Sequence, residues 1–178
     1  MDRPALVAAL RARIGRLERA GAAAALARGQ AGVVPLSDAL DAHLPEGGLP
    51  RAALHEILAA EPGAAAGFAA VILGRAGGTV LWIAGEPEAW PPGLARYGLS
   101  PADLVLVRAP RPADGLWAME EALRCPAVAG ALLDAPDLDL TAARRLQLAA
   151  ESGGAIGLLL RPDTETAGPS AALTRWRV

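Results

Sequence analysis

From residue 51 to residue 178 the chain alternates between short apolar runs and longer mixed segments. Leu54–Leu58, Thr79–Ala84, Leu104–Arg108, Ala129–Leu133 and Ala155–Leu160 are each short, apolar and ended by glycine, proline or a charge, as buried strands are. Between them, helical spacing predicts helices over Pro62–Arg75, a short stretch near Gly93–Tyr97, Pro112–Arg124 and about Leu140–Ser152. Strands that are apolar at nearly every position need cover on both faces. Helices that separate them supply that cover through crossover connections, so the pattern predicts an α/β fold with a mainly parallel sheet. The last segment, Ala172–Val178, alternates apolar and polar residues and reads as an edge strand.

Ahead of this core, Leu6, Leu10, Ile14, Leu17 and Ala20 recur at spacings of three and four between Pro4 and about Arg28. That spacing predicts an amphipathic helix. Arg11, Arg13, Arg16 and Arg19 lie mostly elsewhere around it, and residues 1–30 carry a local surplus of positive charge. Leu10, Ile14, Leu17, Arg13 and Arg16 are therefore candidate partner-binding positions, set against a helix packed on its own domain with a solvated arginine face. Gly and Pro residues mark 31–50 as linker and turn, so the expected organisation is a helix over 1–30, a connection over 31–50 and a core over 51–178.

The composition narrows the chemistry. With 178 residues, 53% of them hydrophobic, the chain suits one domain with a substantial core. Its formal net charge of −2 opposes strong sequence-independent binding to nucleic acid. All 17 basic residues are arginine, which excludes lysine-dependent mechanisms such as Schiff-base catalysis. The single Cys125 excludes an internal disulfide and, with no leader-like start, suits a cytoplasmic protein. Apolar stretches are broken before about 18 residues, which argues against a membrane span.

The segment Arg51–Gly74 has the layout of a phosphate-binding loop, namely strand, small-residue turn and apolar helix. A working loop follows G-x-x-x-x-G-K-[ST], with backbone amides around the phosphates, a lysine on the terminal phosphates and a hydroxyl on Mg²⁺. Here the turn comprises Ala59, Glu61, Gly63, Ala64, Ala65 and Ala66, with Ala65 at the lysine position and Ala66 at the hydroxyl position. The form is present without its chemistry, so no nucleotide or other cofactor is expected. The two histidines, His43 and His55, lack any partner motif for zinc and read as structural or partly exposed. Among the tryptophans, Trp82 reads as core, whereas Trp90 precedes Pro91-Pro92 in a loop and reads either as folded under it or as offered to a partner. Arg144 and Arg145 read as surface residues, with partner binding as the sharper alternative.

The run Leu40–Pro50 followed by His55-Glu56-Ile57 resembles the lead-in to the core of RecA recombinases. Leu49–Glu56, Leu116–Arg124, Leu140–Glu151, Gly157–Pro162 and Thr174–Val178 resemble, in order and spacing, the ImuA family of RecA-like proteins from bacterial damage-inducible mutagenesis cassettes. That resemblance runs from about Leu40 onward. It implies a RecA-like fold and work with ImuB and an error-prone DNA polymerase of the replicative type, in SOS-induced translesion synthesis. RecA itself and self-association are further partners to consider. It also places Glu86 where recombinases carry a water-activating glutamate and Asp134 where they carry a metal-associated aspartate, although without a phosphate loop both read as charges ending strands. The connections matching the recombinase DNA loops, 135–139 and 163–170, are short and acidic, which opposes DNA binding. The expected role is thus a non-catalytic accessory protein. The alternatives are a SulA-type cell-division inhibitor and a RecA-like ATPase or DNA-binding repair protein.

Overall fold

A computed structural model describes residues 32–135, 137–164 and 170–178. The expected N-terminal helix, with Leu10, Arg13, Ile14, Arg16 and Leu17, lies outside the described residues.

Six strands form one sheet, and every pairing in it is parallel. They are β3 (Leu54–Ala59), β4 (Thr79–Ala84), β5 (Leu104–Arg108), β6 (Val128–Asp134), β7 (Ile156–Pro162) and β8 (Thr174–Arg177), in the spatial order β5-β4-β6-β7-β3-β8. The bounds follow the apolar runs closely because glycine, proline or a charge closes each run. Preceding them, β1 (Val33–Val34) and β2 (Leu49–Pro50) pair antiparallel. Between these two lie the short helix α1 (Asp38–Asp41) and a 3₁₀ turn at Pro45–Gly47. The stretch that reads as linker and turn therefore also carries a small cap. Val34, Leu36 and Leu49 are buried in the core cluster that also takes in Ala69, Ile72 and Leu73, and these few apolar residues show no period in the sequence.

The remaining helices cover both faces, as all-apolar strands require. Helix α2 (Pro62–Ala76) packs one face through Ala65, Ala69, Ile72 and Leu73, against Ile57, Leu132, Ile156 and Leu158. It ends at Gly77 and Gly78, whose φ of 70° and 103° suits glycine and stops the helix. Helices α4 (Pro112–Arg124) and α5 (Leu140–Gly153) pack side by side on the other face, burying Met119, Leu123 and Leu146 against Leu54, Ile83 and Leu159. The short helix α3 spans Pro91–Ala95, displaced towards the N-terminus from the expected Gly93–Tyr97, because prolines are tolerated in a helix's first turn, where amides lack intrahelical partners.

Near the β8 edge, β3 carries two adjacent polar residues that are fully buried, His55 and Glu56. They point to opposite faces, as neighbours in a strand do. His55 Nδ1 lies 2.8 Å from Thr174 Oγ1, and Nε2 lies 2.8 Å from the Pro50 carbonyl. Trp176 Nε1 donates to the same threonine oxygen at 2.8 Å. A carbonyl can only accept, so Nε2 carries the proton and Nδ1 accepts from the threonine hydroxyl. On the other face, Glu56 accepts from Arg161 on β7 at 2.7 Å and from Arg175 on β8. One strand is thereby pinned to both neighbours by charge-assisted bonds.

Burial pushes the His55 pKa down from 6.5 to about 4, against the opposing pull of the Pro50 carbonyl. Burial alone would raise Glu56, but the hydrogen bonds and charges of Arg161 and Arg175 outweigh it and hold the carboxyl below its usual value. Unfolded His55 takes up a proton where the folded protein does not, so stability rises with pH between about 4 and 6.5 and is lost as pH falls through that window. Thermal melts should show a loss of about 3 kcal/mol at most across that window, and a His55→Gln variant should lose this part of the pH slope. Replacing Glu56 by Gln should cost about 2 kcal/mol in chemical denaturation at neutral pH, because Arg161 and Arg175 each lose one charged acceptor and the buried position loses its charge-assisted bonds.

Candidate functional site

In a parallel sheet of this order, the C-terminal ends of the strands frame the natural place for a ligand. Here the start of α2 and the ends of β4, β6 and β7 frame a cavity of about 420 Å³. Ala66, Trp82 and Leu160 give it apolar walls, and Glu86, Glu88 and Asp134 give it carboxylates. An apolar cavity of about 200 Å³ lies at the ends of β4, β5 and β6, lined by Ala109, Leu116, Leu133 and Leu138, and shares Asp134.

The turn entering α2 does not form a cradle. Only Ala60 and Glu61 separate the end of β3 from Pro62, the first residue of α2. Positions 62–66 are therefore already helical rather than looped around an anion. The amides of Ala60 and Glu61 donate to the Val178 carbonyl at 2.7 and 3.1 Å, and the Ala65 amide is taken up within the helix by the Glu61 carbonyl at 3.0 Å. Ala65, at the lysine position, is wholly buried between α2 and the sheet. Gly63 and Ala66 line the cavity, while Ala64 is exposed and Ala59 is half-buried. No side chain caps the helix at Glu61.

The carboxylates around the cavity differ in state. Glu86 is exposed and held by Arg108, with Nε 2.8 Å from Oε1, and this arginine keeps its carboxyl below the usual range. Asp134 is pushed up by burial and by the neighbouring charge of Glu88. One rim carboxylate is thus held in an ion pair and another is harder to ionise than usual, and no arginine among the described residues lines the cavity to hold a phosphate. Among the described residues, no group of three or more His, Cys, Asp or Glu is placed to hold a metal ion.

The remaining candidates are dispersed. Trp90 is 69% exposed, and one part of its ring lies over Gly93, where an added Cβ would come within 2.8 Å of the indole. Arg144 is exposed at the outer face of α5. Arg145 instead joins α5 to α4 by pairing with Glu120, which also takes Arg124 at 2.6 Å. The sequence reading missed Glu120 as the shared acceptor; its helical i,i+4 spacing to Arg124 was the available signal. The connection at 163–170 is described only at its two ends.

A mainly parallel sheet covered by helices on both faces, with a two-residue turn where a phosphate loop would stand, defines a RecA-like α/β protein. Among solved structures, it is similar to the crystal structure of SulA from Pseudomonas aeruginosa, with a TM-score of 0.53 and 26% identity, covering 62% of this chain and 98% of that one. No protein-family model matches the chain. Protein ImuA from two strains of Caulobacter vibrioides, NA1000 / CB15N and ATCC 19089 / CIP 103742 / CB 15, is 40% identical over 157 residues, covering 78% of this chain. The chain is a homologue of ImuA, and it spans 64% of the length of these curated relatives. No helix among the described residues is long and apolar enough to cross a membrane.

The burial of Ala65 makes restoration of the missing lysine self-defeating. Ala65→Lys should lower stability by about 2–4 kcal/mol, because the added chain overpacks the helix–sheet contact and carries a charge into it. Titration with a fluorescent ATP analogue should show no gain in binding for this variant.

Proposed function

We propose that this chain acts without catalysis, as a protein-binding accessory component of SOS-induced mutagenic translesion synthesis. Its partners in this reading are an ImuB-type protein and an error-prone DNA polymerase of the replicative type, with RecA as a further contact. The homology to ImuA supports the process. The observation that carries the non-catalytic part is the turn at Ala60-Glu61, where Val178 takes the amides that a phosphate would need. The carboxylates around the adjoining cavity support the same reading, because transfer of a phosphoryl group rests on positive charge and a metal.

A second reading, a SulA-type division inhibitor binding a tubulin-like protein, is favoured by the structural likeness to SulA. The higher identity to ImuA, 40% against 26% to SulA, supports the first reading over it. Pull-downs with the purified full chain separate the two. Capture of an ImuB-type protein, with no capture of the division protein and no ATP hydrolysis above background, is the expected outcome; the reverse pattern of capture, or turnover of ATP, would sink the proposal. Deleting residues 1–30, the basic amphipathic segment, should weaken capture of the ImuB-type protein, and undiminished capture would remove that segment from the interface.

A further inference from the structure

The two edges of the sheet are treated differently. On β8, Arg175 and Arg177 stand on one face of the strand and are its more exposed positions, a common device against pairing with other chains. On β5 no lysine, proline or bulge interrupts Leu104–Arg108, and the only charge is Arg108 at its end. Among the described residues, no strand pairs with its outer edge. Val105 is 46% exposed and Leu106 is 41% exposed. Of the nine large apolar side chains exposed among the described residues, four (Trp90, Tyr97, Val105 and Leu106) lie in the crossover into this strand or on it.

The backbone directions follow from the pairing with β4. The Asp103 carbonyl accepts from the Val80 amide at 2.8 Å, and the Ala109 amide donates to the Ala84 carbonyl at 2.8 Å. Odd-numbered residues therefore turn their amides and carbonyls towards β4. The amides and carbonyls of Leu104, Leu106 and Arg108 point outward along the free edge.

We propose that β5 is a homodimer interface, in which two copies of this chain pair antiparallel across these edges and join their sheets. The occupant is a second copy because the strand complements itself. A two-fold axis perpendicular to the sheet keeps each face on its own side, so residues that meet must have the same parity. With Leu106 opposite Leu106, Leu104 meets Arg108 and Val105 meets Val107. All three outward-facing residues then fall in hydrogen-bonded pairs, giving about six backbone bonds. Valine meets valine on one face, and on the other no two like charges stand opposite each other. Arg108, already held by Glu86, meets an apolar neighbour rather than another arginine. A strand of five residues buries little area, so the dimer is weak and dissociates in about the micromolar range.

The test uses the full chain. Sedimentation equilibrium should show a monomer–dimer exchange, and Leu106→Arg should raise the dissociation constant about 100-fold with an unchanged circular dichroism spectrum and melting temperature. In a Cys125→Ser background, Leu106→Cys should form a disulfide-linked dimer under mild oxidation, since hydrogen-bonded antiparallel pairs hold Cα atoms about 5.5 Å apart. Leu148→Cys, at a more exposed position on α5, should not. A monomer at all concentrations up to about 100 µM, a dimer indifferent to Leu106→Arg, or equal cross-linking at positions 106 and 148 would each overturn the proposal.

Discussion

The structure depends on the charge and hydrogen-bond cluster around β3. Strand β3 lies between β7 and β8, and its own residues commit it to both: Glu56 reaches Arg161 on β7 and Arg175 on β8, and His55 reaches Thr174 on β8 and the carbonyl of Pro50. A buried carboxylate without such partners would be strongly unfavourable, so the register of three strands is tied to one ionised side chain. The same strand leads directly into the turn before α2. Because Val178 follows β8, fixing β8 beside β3 also brings its carbonyl over the turn's amides.

The turn before α2 thus departs from a working phosphate loop in its packing as well as in its residue types. Ala65 and its neighbours Ala69 and Ala70 let α2 lie close to the sheet, and the helix begins two residues after β3. A working phosphate loop needs both a longer detour and open amides. The short turn removes the first, and the Val178 carbonyl takes up the second. Reintroducing a single residue leaves the other obstacles in place.

Most of the sheet was legible in the sequence because each strand is an apolar run closed by Gly, Pro or charge, and because the helices between them keep their apolar spacing. The terminal strand was legible from the alternation in Thr174–Arg177. What was not legible has a common cause. His55 and Glu56 sit in an apolar strand with partners as far as 119 residues away, and nothing local announces them. The cap over 31–50 has too few residues for a period. Glu86 and Asp134 were found as strand-end charges, but the ion pair with Arg108 and the approach of Glu88 depend on how neighbouring strands align. Arg145 was visible as a surface arginine, whereas its partner Glu120 is supplied by another helix.

The parallel docking of β8 beside β3 also sets an order of assembly. During synthesis β3 leaves the ribosome before any other strand of the main sheet, yet its two neighbours, β7 and β8, are the last to be made. Pairings such as His55 with Thr174 close a loop of more than a hundred residues, so their entropic cost falls late and their formation is slow. The β4–β5–β6 half can pair while β3 waits. A histidine and a glutamate in mid-strand keep that waiting segment more polar than its apolar neighbours, and so protect the nascent chain from premature association.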